Sequence, residues 1–97
     1  MIINAVINKE EERNLMMINE YCHIIETLPR GSVIKKKSGY YYLKYRDNGK
    51  VVDEYIGKDL EFIAKIKSQI EYRKHCEKML KELNKERKKI VKIMSHI

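Results

Sequence analysis

Tryptophan is absent from this chain of 97 residues, proline occurs once and cysteine twice. Cys22 and Cys76 stand far apart and in no C-x-x-C pair, which excludes a disulfide scaffold; they read as small reduced side chains in the cores of helices, in an intracellular protein. No apolar run approaches the ~20 residues of a membrane span. Residues 1–8 are apolar, but no basic segment precedes them and they reach Asn and charge too early for a signal peptide. A Gly-rich phosphate loop, a nucleophile elbow and an H-E-x-x-H pair are all missing, so no acid, base and nucleophile are brought together and the expectation is a non-enzymatic protein without a cofactor. Asp53, Glu54 and Lys58 only faintly resemble a carboxylate–lysine set, and Asp53 is explained more simply as the cross-strand partner of Lys44. The doublets Cys22-His23 and His75-Cys76 do not make a metal site, because neighbours on a helix point about 100° apart and one doublet rarely gives two ligands to one ion.

Positive charge is in excess. Lys and Arg number 21 against 14 Asp and Glu, a formal +7, and 43% of residues are hydrophobic, enough for a modest core. One domain spanning 1–97 is the expectation at this length. The charge is uneven: residues 1–32 carry net −2, residues 33–58 net +4 and residues 59–97 net +5.

Residues 8–28 have helical spacing. Asn8 suits an N-cap with Glu11 in the capping-box position, and Glu10, Glu11 and Glu12 suit the positive end of the helix dipole. Leu15, Ile18, Cys22, Ile25 and Leu28 form an apolar stripe, widened by Met17, Tyr21 and Ile24. Pro29 ends the helix by pushing Leu28 out of the α region. Residues 33–56 read as a small antiparallel sheet. Val33 to Lys37 suit a short edge strand, and Ser38-Gly39 a turn. Tyr40 to Arg46 are rich in strand formers, Asn48-Gly49 is a hairpin turn, and Val51 to Ile56 return. A two-residue loop sets Lys44 opposite Asp53 and Tyr42 opposite Tyr55, whereas a three-residue loop with a bulge at Gly49 would shift the register by one. Tyr41, Leu43, Tyr45, Val52 and Ile56 then share the core face, with Glu54 out of place, and Tyr40, Tyr42, Lys44, Arg46, Val51, Asp53 and Tyr55 share the other. Residues 59–97 read as one long helix with Asp59 and Glu61 at its start. Its seam runs through Phe62, Ile66, Cys76, Leu80, Leu83, Ile90, Met94 and Ile97, interrupted by Gln69, Arg73 and Arg87. The fold class is therefore α+β: a helix, a sheet of two or three strands, and a long helix.

Six of the seven tyrosines lie between 40 and 72, interleaved with basic residues. Cations neutralise phosphates and aromatic faces stack on bases, so a nucleic-acid surface is expected from Lys35, Lys36, Lys37, Lys44, Arg46 and Lys50, with Tyr40, Tyr42 and Tyr55 stacking. DNA is the expected partner before RNA, and no membrane partner is expected. The alternative is a protein-interaction module, an inhibitor or adaptor working through the long helix.

The runs Leu28-Pro29-Arg30-Gly31-Ser32-Val33, Tyr40-Tyr41-Tyr42-Leu43-Lys44-Tyr45-Arg46-Asp47-Asn48-Gly49-Lys50-Val51 and Tyr55-Ile56-Gly57-Lys58 resemble a widespread family of short uncharacterised prokaryotic and mobile-element proteins, over residues ~27 to 90. That resemblance carries no established chemistry; it implies a phage or mobile-element setting and a cytoplasmic protein. The stretch from Gly31 to Lys50 is also similar, more weakly, to the arm-type DNA-binding domain of tyrosine recombinases. That similarity implies a three-stranded sheet that binds DNA, and the long helix departs from it.

A homodimer is expected from the long helix. The first helix, residues ~8 to 28, covers only about half of the second, which leaves Leu83, Ile90, Met94 and Ile97 as an exposed stripe for a second copy.

Overall fold

The computed structural model describes residues 2–96, with side chains from residue 8 onward. The elements in order are α1 (Ile2–Thr27), β1 (Ser32–Lys35), β2 (Tyr41–Asp47), β3 (Lys50–Gly57) and α2 (Leu60–Met94), an α+β chain. They form two compact units. The sheet unit is Leu28–Lys74, and the helical unit is α1 together with α2 from His75 onward.

In the sheet unit the strands lie in the order β1-β2-β3, all antiparallel. Each connection is written in its turn residues. Asn48 at φ 50° and Gly49 at φ 78° make the two-residue turn whose twist matches the strands, and it fixes Tyr42 opposite Tyr55 and Lys44 opposite Asp53, as the sequence implies. Between β1 and β2, Gly39 N–H donates to Lys36 O at 2.9 Å and Lys36 N–H donates to Tyr40 O at 3.0 Å. With Gly39 at φ 86°, this is a three-residue hairpin loop ending in a glycine bulge. The edge strand consequently stops at Lys35, and Lys36 and Lys37 lie in the loop rather than in the strand expected to reach Lys37.

Leu43 at the centre of β2 is buried with Ile66 and Ile70 of α2, and Val33, Tyr45 and Ile56 pack around them. Pairing steps from Tyr42↔Tyr55 to Tyr41↔Gly57, so Ile56 is an extra residue on β3. Glu54 opposes Leu43 on the core face yet stays exposed. The chain enters α2 through Asp59, whose Oδ1 accepts the Glu61 N–H at 3.1 Å while its carbonyl accepts the Ile63 N–H. Phe62, expected on the seam, is 47% exposed; its neighbour Ile63, at 2%, is the residue turned inward. Arg73 interrupts the apolar seam with a reason. Its Nη1 donates to Leu28 O at 2.7 Å, satisfying a carbonyl at the point where Pro29 prevents helical continuation.

In the helical unit α1 begins at Ile2, not at Asn8. Asn8 is therefore an interior residue and not a cap; no Gly or Pro separates it from the preceding residues to stop helix propagation. The inward face also differs from the expected stripe. Asn14 is fully buried, and Ile18, Tyr21 and Ile25 are half-buried, whereas Leu15 and Cys22 are exposed. Asn14 Nδ2 donates to Leu83 O at 2.9 Å, while Ile25 lies beside Glu77 and Leu80, so α1 and this half of α2 run antiparallel. Cys76, at 0% exposure, is the core cysteine of the pair, and both thiols are free.

The longer α1 removes the ground for the expected dimer stripe. Leu83 at 5% and Ile90 at 8% are buried within the chain, and Met94 is half-buried. Ile97 lies outside the described residues.

Candidate nucleic-acid interface

The sheet has one covered face and one open face, and the alternation of strand side chains decides which residue falls where. With Leu43 turned toward α2, Tyr42, Lys44 and Arg46 of β2 point the other way, together with Ile34 of β1 and Val51, Asp53 and Tyr55 of β3, their register partners. Tyr40 joins them from the loop end.

Three tyrosines form the centre of this face. The Tyr42 and Tyr55 ring centroids are 5.5 Å apart at 68°, and Tyr40 and Tyr55 are 5.7 Å apart at 52°. The Tyr42–Tyr55 contact is edge-to-face, the geometry that aligns ring quadrupoles favourably, and the Tyr40–Tyr55 contact is tilted. Cations border the cluster. Lys36 Nζ stands 4.1 Å from the Tyr42 centroid and Lys58 Nζ 5.6 Å from that of Tyr40. The rings are unequally available: Tyr55 is 58% exposed and Tyr40 36%, whereas Tyr42 is half-buried with Lys36 over it.

Asp53 stands opposite Lys44 in register, as expected, and its carboxylate is held by Lys36 at 3.1 Å. Lys36 sits just past β1 and reaches across β2, over the Tyr42 ring, to β3. Lys44 and Arg46 are exposed and have no ion-pair partner among the described residues. With Lys58 beside Tyr40, they are the cations of this group that no carboxylate cancels among the described residues.

The structure distributes the remaining expected residues differently. Lys35 pairs in register with Tyr41 on the core-facing side, its Nζ 5.8 Å from that ring centroid. Lys50 opposes Asp47 at the hairpin tip, also on the register of the core-facing side. Lys37 is exposed in the β1–β2 loop. Of the nine residues expected to contact nucleic acid, Lys36, Tyr40, Tyr42, Lys44, Arg46 and Tyr55 are brought together, Lys37 borders them, and Lys35 and Lys50 are not on that face. Lys58 belongs to the group and was missed. Its signal was its place one residue after Gly57, where β3 ends beside Tyr40. No group of three or more His, Cys, Asp or Glu side chains able to hold a metal occurs among the described residues, and no described helix is long and apolar enough to cross a membrane.

A family model described as a domain of unknown function, DUF6788, matches residues 7–68. The match begins within α1, well before the motif-bearing stretch from residue 27, and ends in the third turn of α2, short of residue 90. No curated protein and no solved structure matches the chain.

Proposed function

The chain belongs to the DUF6788 family, and for this member we propose nucleic-acid binding, without catalysis, through the open face of the sheet. The carrying observation is the pairing of uncancelled Lys44 and Arg46 with an exposed aromatic cluster on one face. The sheet unit as a whole carries net +6. Exposed like charges on a small sheet raise the local concentration of a polyanion, and each phosphate neutralised releases counterions. A narrow antiparallel sheet fits the width of a DNA major groove, which favours duplex DNA over RNA, whose deep narrow groove excludes it. The proposed setting is the cytoplasm of a prokaryote, in a phage or mobile-element context, in keeping with the resemblance of the hairpin motifs.

Fluorescence anisotropy with random duplex DNA, single-stranded DNA and duplex RNA, at stepped salt, tests the reading. Duplex DNA should bind tightest, with affinity falling as salt rises. Lys44→Glu with Arg46→Glu should weaken binding by more than about tenfold and flatten the salt slope by about 2. Both side chains are exposed, so the circular dichroism spectrum should not change. Unchanged binding in the double variant removes the sheet from the mechanism, and no binding by the wild type at low salt leaves the protein-interaction reading in its place.

A further inference from the structure

We propose that the helical unit pairs with a second copy of the chain along one flank, forming a four-helix bundle with its two-fold axis along the bundle. The first reason is that α1 carries more apolar surface than its partner helix covers. The residues turned toward α2 are Asn14, Ile18, Tyr21 and Ile25. Leu15, 37% exposed, and Cys22, also exposed, flank that face on one side and widen its apolar sector beyond what α2 covers. Two packed helices need one narrow seam each, and a wider apolar sector is what a helix in a larger bundle shows.

The second reason is a groove on the same flank. Ile25 of α1 lines it with Glu77, Leu80, Lys81, Asn84, Lys85 and Lys88 of α2, three cations to one carboxylate. It continues past Arg87 to Val91, which is 48% exposed. The third is that Arg87 Nη1 is buried there without an acceptor among the described residues. A buried guanidinium nitrogen left unpaired is costly, so docking that lets the Arg87 side chain turn out to a carboxylate of the second copy would relieve that cost.

Charge complementarity selects a second copy as the occupant. Residues 1–27 carry net −3 and residues 75–97 net +4. A two-fold axis along the bundle sets each α1 antiparallel to the α2 of the other copy, so the acidic edge of one meets the basic edge of the other. The levels also agree. Asn14 bonds to Leu83, so in antiparallel helices Glu12, two residues before the one, stands level with Lys85, two residues after the other. Glu12 borders Leu15, and Lys85 lines the groove. Helix dipoles in such a bundle oppose their neighbours throughout. A two-helix pair on its own buries little, and self-association is the common remedy.

Sedimentation equilibrium of the full chain from ~1 to ~100 µM tests this. The wild type should be dimeric by the upper end. Glu12→Lys and Lys85→Glu alone should each weaken dimerisation about tenfold or more, since each acts twice in a symmetric pair, and the two substitutions in one chain should restore it. Both side chains are exposed, and unchanged helical circular dichroism confirms folding of the variants. As a second reading, Cys22 should alkylate more slowly at high protein concentration than at low. A wild-type monomer at ~100 µM, which would leave the flank to an acidic segment of another protein, overturns the proposal. So does a dimer insensitive to both substitutions, or a combined variant that stays monomeric.

Discussion

The sheet unit and the helical unit are both basic on balance, yet they handle charge in opposite ways. The sheet unit holds net +6, and its acids only partly offset it: Asp53 cancels Lys36 and Asp47 lies 3.6 Å from Arg30, while Lys44 and Arg46 stay open. The helical unit holds only net +1, but split into an acidic helix and a basic one. Uncancelled charge of one sign attracts a polyanion, whereas charge separated onto two helices is complementary to a copy of itself. The cores differ too. The centre of the sheet unit is apolar, built on Leu43, Ile66 and Ile70. That of the helical unit buries an asparagine beside Cys76, Leu83 and Ile90.

The largest break in this comparison should come from Gly31, in the sheet unit. It sits at φ 101°, and an added Cβ would collide with Lys44 O and lie 2.9 Å from Tyr45 Cβ. Both obstacles are on β2, which the core holds in place. Gly31→Ala combines positive-φ strain with a backbone clash and should cost about 3 kcal/mol or more. Gly39→Ala, at φ 86° in open space, carries the strain alone and should cost about 1 kcal/mol. Urea midpoints read the difference, and equal losses would mean that β2 moves aside freely.

How much of this was written in the sequence depends on whether the signal was chemical or periodic. The hairpin register was legible as one of two: Asn48-Gly49 suits a two-residue turn with two positive φ values, and the structure adopts it, but a three-residue loop with a bulge at Gly49 would have shifted the pairing by one. The start of α2 was legible in Asp59. The start of α1 was not. Asn8 with Glu10 to Glu12 has every mark of a cap, but a cap is a preference worth about 1 kcal/mol and does not stop a helix that nothing else interrupts. The inward face of α1 was legible in Ile18, Tyr21 and Ile25 and missed at Asn14, because a search for apolar spacing passes over that buried position to Leu15. Asp53 was assigned to Lys44 by register alone. The long Lys36 side chain reaches it from the loop, a contact that strand pairing does not encode. The same limit explains Lys58, whose role depends on where β3 delivers it.

Within the open face the tyrosines should not be equivalent. Tyr55 is the most exposed of the three and lies against both others. Base stacking on a free aromatic face is worth about 1–3 kcal/mol. Tyr55→Ala should therefore weaken single-strand binding roughly five- to hundredfold. Tyr42→Ala should do less, because Lys36 already occupies that ring face at 4.1 Å. A larger loss from Tyr42→Ala than from Tyr55→Ala would show that Lys36 leaves the ring on binding and that the open face rearranges.

The smallest effect tests the polar core of the helical unit, and its expected sign is positive. Asn14 is 1% exposed, and its Nδ2 donates to Leu83 O, a carbonyl in mid-helix that already faces the Arg87 N–H of its own helix. The hydrogen bond therefore rescues no orphaned acceptor. Asn14 Oδ1, meanwhile, has no donor among the described residues. A buried acceptor without a partner costs about 1–3 kcal/mol, and leucine fills a similar volume without that cost. Asn14→Leu should raise stability by about 1 kcal/mol, seen as a higher urea midpoint. What the asparagine contributes instead is register: Nδ2 finds its carbonyl at one relative height of α1 and α2 only, as a lone polar residue does in a coiled-coil seam. Leucine accepts neighbouring heights almost equally well. The stabilised variant should therefore show broader amide resonances in α1 than the wild type. A fall in stability would show that the Asn14–Leu83 bond outweighs the unpaired oxygen and that the helical unit, like the sheet unit, is held by its best contacts rather than by its most selective ones.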